Sequence, residues 1–551
     1  MKKTLRQFIK IAMFIIFQNA HAQNSMPEIQ IEDLTISKLE NLFQNHSITC
    51  EQVARKYVNR IQKYNLSFKN GPPPINAITE INTNVFEEAR ALDQKYSTGH
   101  LQGKIFCVPI ILKDNIDTFD THSSSGSLSL IGNQPLQDAD LVAKLRKEGA
   151  LILAKSSMDE LANGVSGMSS RNGRIGNVYN TNENPGGSSG GSAASVSANF
   201  SLVAIGTDNS GSVRIPSAFQ GVVGLRPSQT LISQNGIAPR GNINGTAGPI
   251  AKNVEDLALI LGVMQKENKI YKFHENDLQG KYIGILNKFE KHNSYQNMPL
   301  DSKKIFDQLF LDLKSNGVNI VKDLNLKNYN MNGKLNEAHE YDEMNDYFSS
   351  FPSVRKSYED FCQFDRNIVF KSKKDCLDFT LKLKNKLNHK TKEANEVIEN
   401  NRLYIDKIMD ENHLDAILLP VSTNGFATYD LKTLHTEMIA PNAGLPAITF
   451  TIGYSDSGMP IGVELIGKKF DEEKLIQIAY AYKNKVKIKK NPLMPEENRL
   501  LENLSIPEYN NVITKIGFET YEKFWKLNRS KKNPDVLTPG LFQKIFHEIL
   551  L

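Results

Sequence analysis

A run of glycine and serine, Asn184-Pro-Gly-Gly-Ser-Ser-Gly-Gly-Ser-Ala-Ala194, opens abruptly between polar sequence and an apolar, helix-like segment. Glycine serves where backbone turns sharply or closes on another group. Small hydroxyl residues among glycines, just ahead of Ala193-Ala-Ser-Val-Ser-Ala198, offer backbone N–H groups and serine oxygens at a helix N-terminus. The composition also suits a flexible linker. Position argues against one: the run lies mid-chain, with apolar, strand-like sequence on both sides.

The surrounding sequence alternates helix-like and strand-like segments. Residues 48–64 and 82–97 have the spacing of amphipathic helices, with Thr49 as N-cap for the first. Ile105-Phe-Cys-Val-Pro-Ile-Ile-Leu112 is an apolar run of the buried-strand kind, broken by Pro109, and it delivers Lys113-Asp-Asn115. A lysine ending a buried strand is unusual, because its charge is costly to bury unless paired or discharged. Residues 138–148 read as helix and Ala150-Leu-Ile-Leu-Ala154 as the next strand. Ser201-Leu-Val-Ala-Ile205 is another strand, ending in a second glycine-serine loop, Gly206-Thr-Asp-Asn-Ser-Gly-Ser-Val-Arg214. Open α/β sheets place their ligands at such strand ends. Further strands over 282–286, 318–321, 415–420, 446–453 and 460–467 alternate with helices over 254–264, 301–315 and from Glu472. The pattern predicts an α/β fold, with a central sheet covered by helices on both faces. Between 325 and 412 the composition shifts to dense Asn, Lys, Glu and Tyr, marking a helical cap or insertion, and 488–551 is a polar, helix-leaning extension.

The first 22 residues read as a secretory signal peptide. Lys2, Lys3, Arg6 and Lys10 precede the apolar Ile11-Ala-Met-Phe-Ile-Ile-Phe17, and Ala20-His-Ala22 fits small-x-small cleavage. The apolar run is too short to span a bilayer. The expectation is an exported bacterial protein, periplasmic or secreted, with no membrane contact indicated once the signal is removed. Removal takes the formal charge from +5 to +1, leaving no basic footprint for nucleic acid. In an exported chain the four cysteines can pair. Cys362 and Cys376 are the closest in sequence, whereas Cys107, inside its apolar run, is expected to be a buried free thiol. No Cys-x-x-Cys or His cluster has metal-ligand spacing, so neither a metal nor a cofactor is expected.

Leu112-Lys-Asp-Asn115, Gly186-Gly-Ser-Ser-Gly-Gly-Ser192 and Gly206-Thr-Asp-Asn-Ser-Gly-Ser-Val-Arg214 resemble the three motifs of the amidase signature family. They stand in order and in register: 75 residues separate Lys113 from Ser188, and 24 separate Ser188 from Ser212. Gly221-Val-Val-Gly-Leu-Arg-Pro227, Thr246-Ala-Gly-Pro-Ile250 and Gly444-Leu-Pro-Ala447 add to the resemblance, which covers about 30–487. Residues 76–264 are most similar to the bacterial peptide-amidase-like branch. The fold implied is one large domain with a mixed sheet.

The resemblance implies a Ser–Ser–Lys triad. Ser212 matches the nucleophile that forms an acyl-enzyme, Ser188 the bridging serine held by a cis peptide bond, and Lys113 the general base. A serine hydroxyl is a weak nucleophile until a base takes its proton. Lysine can be that base only when neutral, a state that desolvation favours. The implied oxyanion donors are the backbone N–H groups of Asn209, Ser210, Gly211 and Ser212. Asn209-Ser210 stands where the family commonly has Thr-Gly, and a positive φ at 210 would suit serine less than glycine. Asp208 and Arg214 match the loop's structural pair, Ser189 a helper donor, and Met168 a residue lining the acyl pocket. The activity implied is hydrolysis of a carboxamide C–N bond in a small-molecule or peptide amide. One alternative is a glutamine-hydrolysing amidotransferase-type subunit, which works in the cytosol, so an export signal counts against it. Another is a catalytically silent amide- or peptide-binding member, which the filled triad positions argue against.

Overall fold

The computed structural model describes residues 30–551 apart from 68–72, 98–102, 290–291, 294–297, 332–334, 365, 386, 423–437, 489, 493, 496, 529–536 and 551. The signal-peptide expectation lies outside the described residues. Residues 30–49 belong to a separate compact unit. It contains helix Ile36–Gln44, whose first turn is capped by Thr35 Oγ1 accepting the Lys38 N–H at 3.2 Å.

Among the described residues, the unit from Cys50 onward is built on a 12-stranded mixed sheet. In chain order its strands are β1 (Ile78–Ile81), β2 (Pro109–Lys113), β3 (Leu151–Ser156), β4 (Val203–Asp208), β5 (Val223–Arg226), β6 (Thr246–Ala251), β7 (Tyr282–Phe289), β8 (His292–Asn293), β9 (Asn319–Asn325), β10 (Ala416–Pro420), β11 (Ala447–Tyr454) and β12 (Pro460–Ile466). The spatial order is β1-β3-β2-β4-β6-β5-β11-β12-β10-β7-β8, with β9 pairing β7. The segment β3-β2-β4 is parallel. Every residue of these three strands is buried, as continuous apolar runs demand when helices cover both faces. β6 then runs antiparallel to β4, pairing Thr246 with Asp208. The ends of β2 and β4 thus bring together the first and third motifs.

Pro109 opens β2 rather than breaking it, a position where the missing N–H is tolerated. The chain reaches it through a turn in which Cys107 has φ 53°. That left-handed backbone ends any strand, so the expectation of Cys107 as a free thiol within a strand is corrected. Cys107 is disulfide-bonded to Cys50, at the start of helix Cys50–Tyr64, and Cys362 is bonded to Cys376.

Helices Glu340–Ser349, Tyr358–Gln363 and Lys373–Lys384, with Phe370 from the connection between the last two, form an aromatic cluster of Tyr347, Phe348, Tyr358, Phe361 and Phe370 around the Cys362–Cys376 bond. The cluster rests on Leu130, Leu161 and Ala238, which lie in loops of the sheet domain. Helix Leu387–Glu411 instead covers the sheet, with Ile405 and Met409 packed on Ile417 and Leu419. The C-terminal residues also belong to the packed body. In helix Ile506–Thr520, Tyr509 is buried, and the Asn510 amide brackets Ile81, accepting its N–H at 2.9 Å and donating to its C=O at 2.8 Å. Edge strand β1 is closed in this way by a side chain. Among the described residues no helix is long and apolar enough to cross a membrane.

Candidate active site

Lys113 ends β2 and is fully buried. Its Nζ lies 2.8 Å from Ser188 Oγ, 2.7 Å from Thr207 Oγ1 and 3.3 Å from the Thr207 C=O. Ser188 follows a cis Gly187–Ser188 peptide and precedes helix Gly190–Ser197. The glycine at 187 is a close-approach position: a Cβ there would stand 2.0 Å from Asp159 Oδ2. Burial drives the Lys113 ammonium toward the neutral amine, opposed by the negative charges of Asp159 and Asp208, and leaves its pKa at about 7.

Ser212 sits in the turn between β4 and helix Arg214–Phe219. It is 4% exposed, and its Oγ makes no hydrogen bond among the described residues. The Ser212 C=O accepts the Ser189 N–H at 3.1 Å, which ties the second motif to the third through backbone. The Ser189 side chain turns away to Thr207, donating to its C=O at 3.2 Å and accepting its N–H at 3.3 Å. These two bonds link Ser189 to β4.

The loop from 208 to 214 is organised around one buried carboxylate. Asp208 accepts the Gly211 N–H (2.8 Å), the Val213 N–H (3.1 Å) and two Arg214 N–H groups (3.0 and 3.2 Å). Arg214 also donates to Glu464 at 2.6 Å, and Arg226 donates to the Asp208 C=O. Burial alone would raise the Asp208 pKa, but Arg214 and Arg226 hold it well below the usual carboxylate range. One of the four expected oxyanion donors is therefore taken: the Gly211 N–H belongs to Asp208. The N–H groups of Asn209, Ser210 and Ser212 carry no such bond among the described residues. The positive φ in this loop falls at Gly211 (φ 94°) and not at Ser210, so serine at 210 imposes no left-handed strain. The Asn209 side chain donates to the Arg240 and Gly241 carbonyls at 3.2 and 2.8 Å, tethering this loop to its neighbour.

Met168 is half-buried in a two-residue strand, and its N–H points to Asp159 Oδ1 at 3.4 Å. Two residues outside the sequence expectations join the site. Thr207 holds Lys113 and also accepts from Asn115 Nδ2 at 3.2 Å. It lies inside the third motif, where a hydroxyl two residues before the loop's first asparagine was the available signal. Asp159 is legible only as one of two consecutive acids following an apolar strand. A cavity of about 500 Å³, lined by Asp117, Asp138, Glu343, Asp346, Tyr347 and Phe351 among others, opens between helix Glu340–Ser349 and the neighbouring loops, and Lys113, Ser188 and Ser212 do not line it. Among the described residues there is no cluster able to hold a metal ion.

The ends of a wide mixed sheet thus hold a buried lysine against a serine, and the family to which such a chain is matched is one of amide hydrolases. The chain belongs to the Amidase family, whose model matches residues 52–476. It is similar to a glutamyl-tRNA(Gln) amidotransferase subunit of Fusobacterium nucleatum, with 29% identity over 488 residues that span 82% of this chain and 97% of that protein. The corresponding subunit of Clostridium kluyveri is 30% identical over 487 residues, 82% of this chain and 96% of that protein. Among solved structures it is similar to native peptide amidase from Stenotrophomonas maltophilia, with a TM-score of 0.73 at 26% identity over 84% of this chain and 99% of that one.

Proposed function

We propose that this protein hydrolyses a carboxamide through a serine acyl-enzyme, with Ser212 as nucleophile, Ser188 as proton relay and Lys113 as base. The observation that carries the reading is the placement of Lys113 Nζ between Thr207 and Ser188. A neutral amine has two N–H groups and one lone pair. The two Thr207 oxygens are acceptors for the N–H groups, which leaves the lone pair for the Ser188 O–H. Ser188 can then take the proton of Ser212 as the latter attacks the carbonyl, and return one to the leaving nitrogen. The free N–H groups of Asn209, Ser210 and Ser212 are the candidates to meet the oxyanion, and water releases the acid. Similarity to peptide amidase supports a peptide or small-molecule amide as substrate.

A second reading, a glutamine-hydrolysing amidotransferase-type subunit, has its support in the relatives named above. Export is the discriminating property. It is supported by the two disulfides, bonds that persist in oxidising compartments and are rare in the cytosol. The test is a panel of primary carboxamides, peptide C-terminal amides and glutamine, assayed with wild type and Lys113→Ala. Hydrolysis of a peptide or small amide without partner chains, reduced at least ~10³-fold in Lys113→Ala, is expected. Turnover of glutamine alone, and only with added partner subunits, would favour the second reading. A folded wild type inert on the whole panel, with and without added partner subunits, would sink both.

A further inference from the structure

Two anions act on Lys113: Asp208 and Asp159. The charge of Asp208 is spoken for by Arg214 and Arg226. Asp159 is fully enclosed and, among the described residues, has no arginine or lysine within ion-pair distance. Its carboxylate instead gathers the N–H groups of Ser166 (3.1 Å), Gly167 (3.0 Å) and Met168 (3.4 Å), the kind of backbone cradle that stabilises an anion. Its own N–H donates to the Ser188 C=O at 3.1 Å, and its Oδ2 lies against Gly187. One residue of backbone therefore separates the anion from the serine that Lys113 holds.

We propose that Asp159 is a positioning residue of this site: its charge keeps Lys113 a strong base, and its backbone bonds fix Ser188 against the Met168 loop. The inference rests on the amidase reading. Burial raises the Asp159 pKa to about 6 against the opposing N–H groups, below the value of about 7 for Lys113. The anionic form of Asp159 is the one that opposes the discharge of Lys113. Without that anion, Lys113 loses its proton at lower pH and is a weaker base once it has done so. Met168, on the same cradle, connects the residues expected to line the acyl pocket to the base itself.

The experiment is the pH profile of kcat/KM, from about pH 5 to 9, for an amide that wild type hydrolyses, with the rate of fluorophosphonate labelling measured in parallel. Wild type is compared with Asp159→Asn, Asp159→Ser and Glu160→Gln. Glu160 is the control acid: it is buried next door but bonds Ser170 and the Ile368 N–H, and does not act on Lys113. In both Asp159 variants the acid limb should move down by about 1 pH unit and the plateau fall about tenfold. The limb of Glu160→Gln should stay in place. A merely structural Asp159 would lower the plateau and leave the limb unmoved, and this would overturn the proposal. So would an equal shift in Glu160→Gln. A folded wild type that is neither active nor labelled brings down the amidase reading itself, whereas an active wild type with an unmoved limb overturns only the role of Asp159.

Discussion

The sheet ends that carry the motifs and the insertion that rests beside them are held together by different forces. Around β2 and β4 the structure is polar and buried. Lys113, Asp159, Ser188, Thr207, Asp208, Arg214 and Arg226 are all buried: Lys113 bonds Ser188 and Thr207, Asp208 bonds Arg214 and Arg226, and Asp159 is held by the 166–168 backbone. The helices over 340–384 instead form an aromatic cluster with a covalent staple, and the polar contacts that join them to the body include Arg240 with Glu340, Asn242 N–H with Glu343, Ile368 N–H with Glu160, Tyr347 with Asp117 and Ser353 with Asn133. Buried polar networks demand specific residue types, because any unpaired member is costly. Apolar clusters accept many sequences of similar volume. Chemistry is therefore fixed in the first region, while the second is free to vary.

The largest effect that could break this contrast lies at Lys113. Lys113→Met should lower kcat by ~10³ or more while making the protein more stable, by about 2–4 kcal/mol at pH 7. The folded pKa of about 7 lies below the ordinary 10.5, so between these values the unfolded chain binds a proton the folded chain does not. The penalty carried by the lysine is full at pH 7 and below and fades as pH rises toward 10.5. Denaturant titrations at pH 7 and 10 should show the advantage of the methionine shrinking at the higher pH.

Removing Glu464 tests the other side of the polar region. Glu464→Gln leaves Arg214, wholly buried, with one carboxylate fewer, and should cost about 3–5 kcal/mol in chemical denaturation. In the insertion, Cys362→Ser with Cys376→Ser opens a loop of sequence separation 14 and should cost about 3 kcal/mol. That loss should appear as faster proteolysis within 340–384, with the acid limb of the pH profile unmoved. The smallest effect is expected at the tether between loops. Asn209→Ala removes two side-chain bonds to carbonyls and should lower stability by about 1 kcal/mol, with a several-fold loss in kcat.

The two regions also differ in what their sequences disclose. Lys113, Ser188 and Ser212 are legible because three motifs stand in order and in register and resemble those of the amidase signature family; a lysine after an apolar strand, or a glycine-serine run by itself, also suits a surface residue or a linker. Helix Val254–Met264 forms over the expected residues, its apolar run bounded by the Asn253 cap, which accepts the Asp256 N–H at 2.7 Å. Cys107 misleads because the apolar character of its neighbours says nothing of its positive φ, and the partner lies 57 residues away. Asp159 escapes notice for a similar reason. Its importance comes from Gly187, Ser188 and the 166–168 backbone, none of which its local sequence announces. Helix Ile506–Thr520 lies in a stretch that reads as polar, yet the single amide of Asn510 closes the sheet edge.

The central claim is that Ser212 becomes acylated because Lys113, acting through Ser188, takes its proton. Intact-mass and peptide mass spectrometry after reaction with a fluorophosphonate tests it directly. Wild type should gain one adduct, located on Ser212, with Ser212→Ala unlabelled and Lys113→Ala labelled at least ~10²-fold more slowly. An adduct on another residue, or amide hydrolysis that survives in Ser212→Ala, would contradict it.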